Sequence, residues 1–140
     1  MSDTYWEHFP HEADVGVRGV AESEAGAFEQ AALALTAVIV DPATVNPSEP
    51  VTVTLNAPDR ELLLVDWLNA LIYEMATRGM LFGRYEVDLV GDDLRAHAWG
   101  EPLDRRRHDA AVEIKGATYT ALRVWRGDDG LWRAQCVVDV

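Results

Sequence analysis

Hydrophobic residues recur at helical spacing in two segments of the chain. Ser23 is typical of a helix N-cap, and the apolar residues after it recur at intervals of three and four until Asp41-Pro42 ends the pattern. The segment 60–78 carries a similar apolar stripe and is followed by Gly79, an expected helix stop. The sequence therefore predicts two helices.

Alternating apolar and polar residues predict strands elsewhere. Val51, Val53 and Leu55 alternate with polar neighbours, which is the period of a half-buried strand. Pro10 is expected to end or bend the first strand because proline offers no amide hydrogen to a sheet ladder. The other predicted strands cover residues 5–9, 15–20, 85–90, 94–99, 110–115, 119–125 and 132–138, with hairpin turns at 91–93 and 127–130.

Two early helices and mostly antiparallel strands predict an α+β fold. We expect a mixed, largely antiparallel sheet layer, or layers, with both helices packed on one face. A chain of 140 residues that is 49% hydrophobic is long enough for one domain spanning residues 1–140. Trp99, Trp125 and Trp132 lie on predicted strands, and we interpret them as core residues rather than as a base-stacking platform.

Charge and composition narrow the functional classes. Twelve basic against 24 acidic residues give a net charge of −12, so no direct tight binding to RNA or DNA is expected. The one basic run, Arg105-Arg106-Arg107-His108, is flanked by Asp104 and Asp109 and is interpreted as a solvated loop rather than a phosphate site. No signal-peptide pattern or membrane-length apolar stretch is visible, so we expect a cytoplasmic protein with no membrane partner. The single cysteine, Cys136, lies in an apolar run and is interpreted as a buried small hydrophobe.

Familiar catalytic motifs are absent from the sequence. It contains no P-loop, no GxGxxG, no paired-cysteine zinc pattern and no GxSxG elbow. The remaining candidates for chemistry are two aspartates beside apolar strands. Asp14 precedes one predicted strand, and Asp139 follows the last strand and adjoins the carboxylate of Val140. If those strands are neighbours, these oxygens meet at one edge and suit calcium or magnesium.

Each of these residues also has a simpler explanation. An acid at a loop end can bond its own backbone, and a penultimate residue is often exposed and idle. His11 near two aspartates is more often an outer-shell or surface residue than a ligand. Lys115, the only lysine, is a candidate nucleophile or phosphate contact, although a basic residue on the wet face of a strand, or one paired with Glu113, is commoner.

Five separated blocks closely resemble the archease family, and the likeness covers nearly the whole chain. The blocks are His11-Glu12-Ala13-Asp14-Val15-Gly16-Val17, Leu63-Leu64-Val65-Asp66-Trp67-Leu68-Asn69, Ala98-Trp99-Gly100-Glu101-Pro102, Ile114-Lys115-Gly116-Ala117-Thr118-Tyr119 and Val137-Val138-Asp139-Val140.

The resemblance implies a non-catalytic activator of the GTP-dependent RNA ligase that acts in tRNA splicing and RNA repair. Such an activator promotes guanylylation and multiple turnover of the ligase. The family's calcium site falls on Asp14, Asp139 and Val140, and its lysine falls on Lys115. The cation is expected to be Ca²⁺, with Mg²⁺ or Mn²⁺ as alternatives. His11 and Lys115 are expected to face the partner.

Two alternatives and two departures accompany this resemblance. The alternatives are a metal-dependent phosphoesterase acting on RNA ends and a chaperone-like modulator of a tRNA methyltransferase. The family's H-T-A-D appears here with Glu12 in place of threonine, and the histidine that commonly follows T-Y is Thr120. No role is therefore transferred to position 120.

Overall fold

Both predicted helices form, with the caps expected from their sequences. The computed structural model describes residues 3–110 and 112–140. Helix α1 covers Glu24–Ile39, and the hydroxyl oxygen of its N-cap Ser23 accepts a hydrogen bond from the Gly26 amide. Helix α2 covers Arg60–Arg78 and ends at Gly79, whose φ of 62° is the left-handed conformation that glycine adopts without a steric penalty.

Eight strands form two separate sheets, and every strand pair in the described ranges is antiparallel. The strands are β1 (Tyr5–His11), β2 (Asp14–Ala21), β3 (Glu49–Asn56), β4 (Met80–Val90), β5 (Asp93–Pro102), β6 (Gly116–Ala117), β7 (Arg123–Arg126) and β8 (Trp132–Asp139). The five-stranded sheet has the order β1-β2-β8-β6, with β7 also paired to β8, and the three-stranded sheet has the order β3-β5-β4. A short 3₁₀ helix, Pro42–Thr44, follows α1.

The helices form a layer that contacts both sheets. Helix α1 contacts β2 and β8 of one sheet and β4 of the other, and α2 likewise contacts strands of each. The buried centre includes Phe28, Trp67 and Phe82, and the Trp67 indole donates to the Phe28 carbonyl oxygen at 3.1 Å. This hydrogen bond satisfies a buried polar group that would otherwise be costly. The predicted α+β class, with two helices and antiparallel strands, is confirmed.

Pro10 does not end β1, which continues to His11. Strand β1 is paired only with β2, so it lies at the edge of the sheet and one of its rows of amides needs no strand partner. Edge strands accommodate proline for this reason.

Two predicted strands are wrong in extent. Residue 111, within the predicted strand 110–115, lies outside the described residues, and the described residues of that segment are not in a strand. Ile114 is buried while Val112 and Glu113 are exposed, so the apolar pattern there reflects one anchoring side chain. In the predicted strand 119–125, a turn fills the beginning and β7 starts only at Arg123.

The interpretation of the strand tryptophans as core residues is correct for one of the three. Trp132 packs against the core. Trp99 and Trp125 are half-buried, and each ring lies beneath an arginine, Arg84 and Arg123 respectively. Sequence periodicity placed both rings on strands but did not reveal that they face outward. Across residues 3–110 and 112–140, no helix has both the length and the apolar character needed to cross a membrane.

Candidate functional site

The pairing of β2 with β8 brings the two candidate aspartates to the same end of the five-stranded sheet. Val15 lies opposite Val138 in the antiparallel register. Asp14 is the first residue of β2 and Asp139 is the last residue of β8, so each is the next residue beyond that pair. The predicted adjacency of these two strands is therefore confirmed.

The same end of the sheet carries the two basic candidates. On one flank, His11 of β1 pairs with Asp14. On the other flank, Gly116 of β6 pairs with Asp139, and the Lys115 amide donates to the Asp139 carbonyl oxygen at 2.9 Å. We call His11, Asp14, Asp139 and Lys115 the terminal row, because the first three follow one another across β1, β2 and β8 and Lys115 directly precedes β6.

Water reaches every member of the terminal row. Asp139 and Lys115 are exposed, and Asp14 and His11 are half-buried, as is the final residue, Val140. Within residues 3–110 and 112–140, no ion pair engages either aspartate. Both carboxylates therefore remain available to an external cation.

A two-residue turn fixes Asp14 relative to β1. His11 and Asp14 are paired, which leaves Glu12 and Ala13 as the hairpin loop. Glu12 has a φ of 54°, a left-handed value that favours glycine and costs other residues about 1–2 kcal/mol. A positive φ at the first loop position is characteristic of tight hairpin turns whose twist matches the strands.

Asn69 of α2 holds the segment that carries Lys115. The Ala117 amide donates to Asn69 Oδ1 at 2.9 Å, and Asn69 Nδ2 donates to the Ala117 carbonyl oxygen at 3.2 Å. The side-chain amide thus takes the place of a neighbouring strand on the outer edge of β6. Sequence reasoning assigned no role to Asn69, because its position on the polar stripe of a helix does not show which distant backbone it meets.

Thr120, where the resemblance led us to expect a histidine, lies beside the terminal row. The Thr120 carbonyl oxygen accepts from the Val137 amide at 3.0 Å, and its amide donates to the Thr118 hydroxyl at 3.2 Å. Thr118 itself donates twice to the Val137 carbonyl oxygen. The backbone around position 120 is therefore attached to β8 two residues before Asp139.

The two aspartates of the terminal row, together with the adjoining Val140, offer donors that fit a hard cation. Asp14, Asp139 and the terminal carboxylate of Val140 supply only oxygen atoms, which calcium and magnesium prefer. In the described part of the chain, no three His, Cys, Asp or Glu side chains cluster closely enough to hold a metal. The described residues therefore offer two side-chain carboxylates, Asp14 and Asp139, at this end of the sheet.

A second polar cluster, centred on Glu101, is structural. Its carboxylate binds Arg107, the Asn46 amide and the buried His108. The Arg107 guanidinium, followed by the Asn46 amide, lowers the Glu101 pKa to about 2. Arg107 also donates to the Thr44 carbonyl oxygen, so one member of the basic run anchors the loop although its side chain is exposed.

Comparisons with known proteins cover almost the whole chain. The family model described as Archease protein family (MTH1598/TM1083) matches residues 6–140. Proteins named archease from Pyrococcus furiosus and Thermococcus gammatolerans are 36% and 40% identical to the chain, and each alignment covers 96% of this chain and 98% of the relative.

Solved structures agree with the fold. The solution structure of Methanobacterium thermoautotrophicum protein 1598 superposes with a TM-score of 0.78 at 28% identity, covering 96% of this chain and 98% of the other. A crystal structure from Thermotoga maritima, described as an archease and possible chaperone, gives a TM-score of 0.60 at 18% identity, with 96% of each chain covered.

Proposed function

Because the chain belongs to the archease family, we propose that it is a non-catalytic activator of the GTP-dependent RNA ligase of tRNA splicing and RNA repair. Its task is to promote guanylylation of the ligase and so to support repeated turnover. The observation that carries this proposal is the terminal row, which gathers Asp14, Asp139, His11 and Lys115 at one exposed end of a sheet.

Asp14, Asp139 and the terminal carboxylate of Val140 would hold the cation, with Ca²⁺ as the expected ion. When bound, the cation supplies positive charge at an otherwise acidic edge. Calcium takes six to eight oxygen ligands, which is more than three carboxyl groups provide without bidentate binding. Oxygen atoms from water, from the ligase or from a nucleotide phosphate can complete the coordination, and this makes the edge suitable for contact with a partner.

The flanking residues extend this contact surface. His11 and Lys115 bracket the two aspartates across the strands. The exposed side chain of Lys115 offers a hydrogen-bond donor to anionic groups on the partner. Activation then means that the chain binds the nucleotide-competent conformation of the ligase more tightly than its other conformations, which shifts the population.

Ligase guanylylation at limiting GTP tests this proposal. We expect the wild-type chain to stimulate guanylylation, and we expect Asp14→Ala and Asp139→Ala to lose most of that stimulation. Asp88→Ala is the matched control, since Asp88 is an exposed aspartate on β4 of the other sheet. Equal stimulation by all four proteins would reject the terminal row as the working surface.

Two assays separate the alternative functions. The purified chain alone should leave RNA with a 2′,3′-cyclic phosphate unchanged, whereas a metal-dependent phosphoesterase would open it. A general chaperone, the role suggested in the description of the Thermotoga maritima protein, would suppress aggregation of unrelated proteins. An activator has no such effect. A chaperone-like modulator of a tRNA methyltransferase would instead raise the yield of that enzyme without the ligase.

A further inference from the structure

The five-stranded sheet packs one side on the helix layer and presents the other side outward. A Cβ atom added to Gly19 would lie 2.1 Å from the Ala27 carbonyl oxygen of α1, so position 19 faces the helices. Successive residues of a strand point to opposite sides, which places Arg18 and Val20 on the outward side. Their cross-strand neighbours share that side.

Six outward residues form what we call the arginine–aromatic face: Tyr5, Phe9, Arg18, Arg123, Trp125 and Arg133. The strand register supports this grouping, because Tyr5 and Arg133 both lie opposite Val20, and Trp125 lies opposite Arg133. Val20 and Val137 share this side by register, and both are buried.

Arginine guanidinium groups stack on rings at two places of this face. The Arg18 Cζ atom lies 4.6 Å from the centre of the Phe9 ring, and the Arg123 Cζ atom lies 4.2 Å from the centre of the Trp125 ring. Both distances are within the range of cation–π attraction. Arg18 also donates to Glu7 and Gln135 at 2.7 and 2.8 Å, which fixes its orientation.

The face carries an uncompensated positive charge on a strongly acidic protein. Arg18 is paired with Glu7, and Arg133 is paired with Asp129 at 2.8 Å. Arg123 is exposed, and among residues 3–110 and 112–140 no carboxylate forms an ion pair with it. On a chain of net charge −12, this patch therefore attracts a negatively charged surface locally.

The residue composition of the arginine–aromatic face and its position beside the terminal row favour a protein as the partner. Arginine and aromatic residues are enriched at the centres of protein interfaces, where they contribute most of the binding energy. Asp14 lies four residues before Arg18 on β2, and strand alternation places both on the outward side. The face is therefore continuous with the terminal row.

We propose that the arginine–aromatic face is the docking surface for the RNA ligase, and that the ligase presents carboxylates to Arg123. This inference rests on the proposed function. A second copy of this chain would bring together two proteins of net charge −12, and an RNA strand would bring a continuous run of phosphates to a chain of that charge. A protein surface with acidic groups limited to the area opposite Arg123 avoids both repulsions.

The test compares two arginines that each lie over a tryptophan ring on different sheets; Arg84 also forms an ion pair with Glu86 at 3.4 Å. Arg84 lies over Trp99 at 4.6 Å, as Arg123 lies over Trp125, but on the three-stranded sheet. We expect Arg123→Glu to weaken ligase binding, measured by titration calorimetry, at least about tenfold, and Arg84→Glu to change it less than about twofold.

Further measurements distinguish a wrong docking surface from a wrong proposed function. Arg123→Gln, which introduces no new charge, should give a smaller loss, and unchanged thermal midpoints establish that the variants are folded. Wild-type affinity for Arg123→Glu, or an equal loss in Arg84→Glu, would overturn the docking surface. Loss of binding to labelled single-stranded RNA with unchanged ligase affinity would overturn it in favour of RNA. A wild-type chain that fails to stimulate the ligase would reject the proposed function itself.

Discussion

Asn69 and Ala117 exchange two hydrogen bonds between the side of α2 and the outer edge of β6. Strand β6 is only two residues long and its other edge is paired with β8. The side chain of Asn69 therefore completes the anchoring of the segment that places Lys115 next to Asp139.

Removing the Asn69 side chain should loosen the segment that carries Lys115. Asn69→Ala should lower the free energy of unfolding by about 1–2 kcal/mol, since each net hydrogen bond contributes about 0.5–1.5 kcal/mol. The Ala117 amide should also exchange its hydrogen faster. Asn69→Asp, which keeps the acceptor and loses the donor, should preserve more of the protection. Denaturant unfolding and amide exchange measure both effects, and unchanged exchange at Ala117 in Asn69→Ala would contradict this role.

Close packing of β2 on α1 requires glycine at position 19. A Cβ atom there would meet the backbone of Ala27 and Ala31 at 2.1 and 2.3 Å, and backbone atoms cannot move away easily. Gly19→Ala should therefore destabilise the chain by about 1–3 kcal/mol.

Gly116→Ala is the matched control for Gly19→Ala. Its Cβ would lie 3.6 Å from Asn69 Oδ1, an ordinary contact, so stability should change by less than about 1 kcal/mol. Thermal or urea unfolding measures both variants. Equal stability of the two would show that the helix moves to make room.

Acid should destabilise the chain partly through Glu101. Its pKa is lowered to about 2, chiefly by Arg107, whereas an unfolded glutamate titrates near about 4.3. The ionised Glu101 carboxylate therefore stabilises the fold fully at pH values above the pKa of an unfolded glutamate, and this stabilisation is lost as the pH falls towards 2. Glu101→Gln should be less stable at neutral pH and should lose less stability between pH 5 and pH 2. Identical acid unfolding profiles of the two proteins would contradict the assignment.

Cys136 should be chemically inert in the folded protein. The side chain is fully buried, and burial raises the pKa of its thiol to about 12, so little thiolate is present near neutral pH. A coloured thiol reagent should label one cysteine per chain in denaturant and almost none without it. Rapid labelling of the native protein would show that this strand opens readily.

The parts of the fold that follow from local chemistry are the parts that the sequence predicted well. Ser23 and Gly79 mark helix ends through their own backbone and side-chain preferences, and both helices formed where expected. The strand prediction for 110–115 is wrong for the described residues of that segment, because a single buried side chain, Ile114, reproduces the alternation of a strand over a few residues.

Predicting the site depended on contacts between distant parts of the chain. Asp14 and Asp139 stood out because each adjoins an apolar strand, and only the pairing of Val15 with Val138 shows that the two ends meet. The role of Asn69 and the outward position of Trp125 were missed, because residue type and periodicity do not specify which neighbour a side chain meets in the folded protein.

Calcium titration tests the terminal row most directly. Calorimetry on the wild-type chain, Asp14→Ala, Asp139→Ala and the Asp88→Ala control would measure both stoichiometry and affinity. We expect one Ca²⁺ per wild-type and control chain, and binding weakened at least about tenfold in each terminal-row variant, because each loses one of only two side-chain carboxylates. Wild-type affinity in both Asp14→Ala and Asp139→Ala would contradict the assignment of a cation to this end of the sheet.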